Sequence, residues 1–177
     1  MKNEEKTIKE NLIYNGKIVK LYVDDVVIND HNAKREVIKH LGGVCILGFI
    51  NNKVILEKQY RYPYKEYVYE LPAGKLEINE DPYNAALREF NEETGYKASS
   101  LISLGQMYPT CGYSNEIIYL YLAKDLSKSN NHLDEDEFID LKLFKLEEII
   151  LMIEKGIIKD AKTICLIYKY LLWKENN

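Results

Sequence analysis

Cysteine is scarce in this chain of 177 residues: Cys45, Cys111 and Cys165 stand far apart, with no Cys-x-x-Cys pair among them. That pattern excludes a disulfide framework and a structural zinc site, and it points to a reducing cytoplasm. Long apolar runs are missing as well. Nothing approaches the ~18 to 20 apolar residues that a bilayer crossing needs. The charged start MKNEEKTIKE also lacks the apolar core of a secretion signal, so the chain reads as neither exported nor membrane-spanning. Nor is there a basic excess: 24 Lys and Arg against 28 Asp and Glu leave a net charge of -4 and a pI near 5.5. A surface for nucleic-acid backbone is therefore disfavoured, since such surfaces gather Lys and Arg. An acidic chain can still bind a polyanion through a divalent metal.

What is present is an average soluble balance, with 46% apolar and 29% charged residues, and one unusual count, fifteen tyrosines. The length suits one domain with a real core and leaves room for a small second lobe. LIYNGKIVKLYVDDVVIND reads as two short strands, with turns at Asn15-Gly16 and over 29–34. REVIKHL, GVCILGFI and KVILEKQYRY follow as strands, with a tight turn at Asn51-Asn52. EYVYELPAG is another, stopped by Pro72 and Gly74. A helix opens at the Asp81 cap with Pro82 at its first position and closes at Gly95. LISLGQMY and EIIYLYLAKDL return to strand, 127–137 is an acidic loop, FIDLKLFKL is a last strand, and the tail carries two helical patterns broken at Gly156. With no internal repeat, this order gives an α+β fold: a mixed sheet with flanking helices.

The helix carries the chemistry. At 3.6 residues per turn, Glu89, Glu92 and Glu93 fall within about 100° of arc, while Tyr83, Ala86, Leu87, Phe90 and Thr94 offer the docking side. Like charges at this spacing destabilise an isolated helix by roughly 0.2 to 0.5 kcal/mol per pair, so something must offset them. Arg88, four residues before Glu92, neutralises one carboxylate; a hard divalent cation with oxygen ligands, such as magnesium, offsets the rest. Taken alone, an acidic stripe is more often a solvated helix face. The ordered set around it changes that balance: Gly74, Glu80, Arg88-Glu89, Phe90, Glu92-Glu93, Gly95 and Tyr96.

This set resembles the Nudix box, GX5EX7REUXEEXGU with U a bulky apolar residue, at every specified position if Tyr96 fills the last. The resemblance implies a Nudix hydrolase: an α/β/α sandwich whose box forms loop, helix and loop and binds Mg2+, with Mn2+ possible, against a nucleoside diphosphate linked to another moiety. It implies Glu89 and Glu93 as principal metal ligands, Glu92 as an auxiliary one, the Ala73 carbonyl as a further ligand, and Glu80 and Arg88 as supports of the box.

Four stretches outside the box are similar to the ADP-ribose pyrophosphatases: EKTIKENLIYNGKIVKLYVDDV, REVIKHLGGVCIL, EKQYRYPYKEYVYELPAGKLE and YPTCGYSNEIIYLYLA. That likeness implies Arg61 and Glu70 in the substrate pocket, beside Gly112; the plainer alternatives are a surface arginine and a buried salt-bridge partner. The chain departs from the subgroup at Cys111, where a proline is common, and with no histidine partner in reach of the sequence a passive loop cysteine is the better reading. The subgroup places its catalytic base on a loop before the last strand. In HLDEDEFIDL that makes Glu135 the base candidate, with Asp134 or Asp136 after a one-residue shift, and Glu137 a metal-ligand candidate, whereas unaided the run reads as a solvated acidic turn.

The expected activity is thus Mg2+-dependent hydrolysis of ADP-ribose to AMP and ribose 5-phosphate, with Glu135, Glu92 and Arg88 on the catalytic side. The resemblance also implies a small N-terminal antiparallel β lobe over 1–40, through which two copies form a homodimer, and a hydrolase domain over 41–177. The alternatives are another nucleoside diphosphate sugar such as GDP-mannose, or a non-catalytic sensor of ADP-ribose.

Overall fold

The computed structural model describes residues 4–130 and 138–177, and these divide into two compact units. The first takes the chain up to Gly42 together with Tyr108–Ile117; the second takes Gly43–Met107 and Ile118–Asn177. The expected boundary between 40 and 41 made no provision for the returning segment Tyr108–Ile117.

In the first unit, β3 (Lys20–Ile28) pairs antiparallel along one edge with β1 (Lys6–Lys9) and β2 (Leu12–Asn15), and along the other with β4 (His31–Lys39). The β3–β4 hairpin turns on Asn29 and Asp30 alone, both at positive φ (47° and 65°), the geometry that matches the twist of paired strands. The six-residue turn read over 29–34 is therefore too long: His31, Asn32 and Lys34 are polar because they are solvent-facing positions of a strand. β1 escaped the sequence reading for the same reason, having no buried side chain to set an alternation. Segment 108–117 joins this unit through Ile38, whose N–H donates to the Tyr113 carbonyl at 2.7 Å while its own carbonyl accepts from Asn115 N–H at 3.2 Å.

The second unit is built on β5 (Gly43–Leu47), whose side chains are buried on both faces. Such a strand must be covered on both sides, and its alternation shows how: Val44 and Ile46 join a core with Ala85, Ala86 and Phe90 of α1 (Pro82–Thr94). Cys45 and Leu47 join one with Ile149 of α2 (Leu146–Glu154) and Leu166 and Ile167 of α3 (Ala161–Glu175). β5 pairs in parallel with β11 (Ile118–Lys128) and antiparallel with β9 (Ala73–Lys75), which makes the sheet mixed; β10 (Tyr96–Met107) flanks β11. A second sheet sets β7 (Lys53–Arg61) against β6 (Phe49–Ile50), β8 (Glu66–Glu70) and β12 (Ile139–Phe144). The α+β sandwich expected from the sequence is what forms.

Two details position the site. The stretch EYVYELPAG is two strands rather than one, because Leu71 and Pro72 carry the chain from a partnership with β7 to one with β5; Gly74 lies inside β9 instead of ending a strand. Proline lacks the N–H that an unbroken ladder would need, so the change of partner falls there. The helix α1 has the expected limits. Asp81 accepts from the amides of Tyr83 and Asn84, and Gly95 closes the helix at φ 70°. β10 then begins at Tyr96 with no connecting loop, five residues before the expected start.

Candidate active site

Three glutamates that share an arc of α1 turn to different partners once folded. Glu93 is buried, and its Oε2 accepts from the Ala73 amide at 2.9 Å. Glu89 lies over β9: a Cβ built at Gly74 would come 1.9 Å from the Glu89 carboxyl carbon, so only glycine leaves this carboxylate its place. Glu92 is the most open of the box acids. Among the described residues no three His, Cys, Asp or Glu side chains converge on one ion-sized point. The sequence suggested one crowd of three; the structure separates Glu93, held by a backbone amide, from the pair held by Arg88.

The Arg88 guanidinium organises the outer acids. Its Nε and Nη2 donate to Glu80 at 2.9 and 2.8 Å, and Nη1 donates to Glu89 at 2.9 Å and Glu92 at 3.0 Å. One cation thus serves three carboxylates, where the sequence assigned it one. The bidentate bond holds the Glu80 carboxyl below its ordinary range, and the surrounding acids hold the guanidinium more firmly charged.

Beneath the box lies a second, buried set. Glu57 on β7 and Glu70 on β8 are cross-strand partners, so their side chains share one face. Arg61 grips Glu70 with Nε at 2.6 Å and Nη2 at 3.0 Å, and Lys162 of α3 also donates to Glu70. Burial alone would raise the Glu70 carboxyl, but these bonds and charges outweigh it and hold it below the ordinary glutamate range. Asp160 caps α3 through the Thr163 amide at 2.9 Å, accepts from Lys162 at 2.9 Å, and accepts from the Thr163 hydroxyl, whose oxygen takes the Leu71 amide at 2.8 Å. The start of α3 thereby fixes both Glu70 and its neighbour. Glu57, only 2% exposed, hydrogen-bonds with Glu93; desolvation pushes its carboxyl up to about 8, tempered by that bond and reinforced by the charge of Glu70.

Residues 39–167 of the chain match the family described as the NUDIX domain. The chain belongs to the NUDIX family. Over 176 residues it is 45% identical to a protein named methanol dehydrogenase activator from Bacillus methanolicus, and 42% identical to an ADP-ribose pyrophosphatase from Bacillus subtilis (strain 168). Each alignment spans 97% of this chain and 95% of the relative. A crystal structure of an ADP compounds hydrolase superposes with a TM-score of 0.86 at 18% identity, covering 98% of this chain and 95% of that one, a likeness of fold.

Within this Nudix fold, the expected site residues fall in three places. Arg61, Glu70, Ala73, Glu80, Arg88, Glu89, Glu92 and Glu93 all lie in the second unit. Gly112 sits in an exposed turn of the first, beside the exposed Cys111. Glu135 and Glu137 lie outside the described residues. The sequence reading missed Glu57 and Lys162. Glu57 had a signal, a carboxylate directly after the apolar run VIL within a strand; Lys162 had none beyond its place behind the Asp160 cap. The site fits a hard divalent cation on three counts: its donors are all oxygens, Gly74 leaves a cradle at Glu89, and Glu57 Oε1 is buried with no partner among the described residues.

Proposed function

We propose that the chain hydrolyses the diphosphate of ADP-ribose to AMP and ribose 5-phosphate, with Mg2+ as cation and Mn2+ able to replace it. The observation that carries this reading is the folded box, with Glu93 on the Ala73 amide and Glu89 over Gly74, in a chain 42% identical along nearly its whole length to an ADP-ribose pyrophosphatase. Glu89 and Glu93, with Glu92 auxiliary and the Ala73 carbonyl beside them, are the oxygens that would hold the cation. Bound there, it would neutralise the diphosphate in an acidic site and acidify the attacking water.

The remaining work falls to the chain. Arg61 keeps part of its guanidinium in solvent while Glu70 fixes its plane, an arrangement suited to a phosphate or ribose oxygen. Arg88 keeps Glu89 and Glu92 aligned. Glu135 takes the proton of the attacking water and Glu137 adds a ligand. Gly112 contributes to the substrate pocket. We also assign the protein to the cytoplasm as a homodimer joined through its lobe at 1–40; no helix among the described residues is long and apolar enough to cross a membrane.

Purified protein offered a panel of nucleotide sugars with Mg2+ or Mn2+ in 18O-labelled water tests the reading. ADP-ribose is expected to be preferred, with label in one product identifying the attacked phosphorus. Preference for GDP-mannose sinks the substrate, and binding without turnover makes the protein a sensor. A second reading rests on the 45% identical relative, namely that the chain activates a methanol dehydrogenase. Adding it to such an enzyme tests this, and unchanged dehydrogenase turnover removes it.

A further inference from the structure

Glu57 directly follows the apolar, fully buried stretch of its strand. Val54, Ile55 and Leu56, the three residues before it, are at most 1% exposed, and Glu57 itself is 2% exposed. A carboxylate oxygen left unpaired at such depth is costly, so a resident Glu at this position calls for a partner. The two cations nearby, the half-buried Arg61 and Lys162, reach Glu57 through charge but give their hydrogen bonds to Glu70. Glu57 hydrogen-bonds instead with another acid, Glu93, and its Oε1 has no partner among the described residues.

We propose that Glu57 is an additional carboxylate of the cation site, steadying Glu93 and offering its own Oε1 to the same divalent cation. The charges of Lys162 and Arg61 reach Glu57, but neither gives its Oε1 a hydrogen bond. A hard divalent cation would supply that direct partner. Mg2+ is commonly held by one or two carboxylates, with water and substrate phosphates completing its shell, so the Glu57–Glu93 pair is a sufficient anchor without a third converging acid. The inference rests on the reading of Glu93 as a metal ligand given above and extends it to a residue outside the Nudix box.

Mn2+ binding to the metal-free, full-length protein, followed by the loss of the free-ion electron paramagnetic resonance signal, tests this without reference to turnover. Glu57→Gln and Glu57→Val are compared with wild type and with Glu93→Gln. Both Glu57 variants are expected to bind Mn2+ about tenfold or more weakly. The Val variant should also melt higher than metal-free wild type, because an apolar side chain replaces a buried, poorly paired carboxyl. Wild-type affinity in both Glu57 variants, with binding lost in Glu93→Gln, overturns the role of Glu57 and leaves the Glu93 reading intact. Wild-type affinity in Glu93→Gln overturns the metal reading itself. Weakened binding in Glu57→Val accompanied by a lower melting temperature makes Glu57 a support of the fold and removes it as a ligand.

Discussion

The outer and inner acids of this site are both sets of three, and they are handled in opposite ways. Glu80, Glu89 and Glu92 share one guanidinium on a partly open helix, where water screens whatever charge Arg88 leaves unbalanced. Glu57, Glu70 and Glu93 are buried and each has its own solution: two cations for Glu70, a backbone amide for Glu93, and for Glu57 a hydrogen bond with a neighbouring acid, with Lys162 and Arg61 reaching it through charge alone. Solvent forgives imbalance in the first set. In the second every charge needs a named partner, so a missing one points to function.

The sharpest way to break this comparison is at Glu93, which belongs to the box by sequence and to the buried set by structure. Glu93→Gln should lower kcat about 10³-fold, the several kcal/mol a correctly held cation contributes, while circular dichroism shows the fold retained. Undiminished turnover removes Glu93 from the ligand set.

Next comes Lys162→Met, which leaves Glu70 buried with Arg61 alone. Urea unfolding at pH 7 should show a loss of about 1–3 kcal/mol. The sign of its pH dependence is fixed. The Glu70 carboxyl is held below its ordinary range in the fold, so its contribution is present above the ordinary glutamate range and disappears as pH falls through the lowered folded value. The gap between wild type and variant should therefore narrow on acidification below about pH 4.5; a gap that widens contradicts the pairing.

Gly74→Ala strikes where a strand glycine lies against a side chain of the helix. The new Cβ displaces the Glu89 carboxylate, a flexible group that can rotate away, so turnover should fall about tenfold while the melting temperature drops by only a few degrees. Smallest of all is Glu80→Gln in the outer set, expected to lower stability by about 1 kcal/mol or less, with the difference shrinking in high salt. An effect as large as that of Lys162→Met would erase the distinction between the two sets.

In the outer set Glu89 and Glu92 were legible because they sit at helical spacing between an Asp81-Pro82 start and a Gly95 stop, and Glu80, ahead of the cap, through its place in the box pattern. The inner set was legible only in fragments. Glu70 and Arg61 emerged through resemblance, and Glu57 broke an apolar run, but their meeting depends on strand register and on α3, which no local pattern encodes. The strands missed at Lys6–Lys9 and Ala73–Lys75 have a related cause: each is held by hydrogen bonds to a neighbour rather than by a buried face of its own. Local preference finds elements that bury a stripe; pairing partners must be known for those that do not.

Lys162 and Thr163 reach back 92 residues to Glu70 and Leu71. On the ribosome the chain emerges from its amino end, so the acidic box and its β-strands leave the exit tunnel well before the start of α3 does. A nascent chain stalled at any point before that helix emerges carries the whole Nudix motif, yet its buried glutamate lacks one of its two cations. The grip on Arg61 is thus secured only after the box itself has been made, and the order of synthesis sets the motif ahead of the lysine that steadies its inner glutamate.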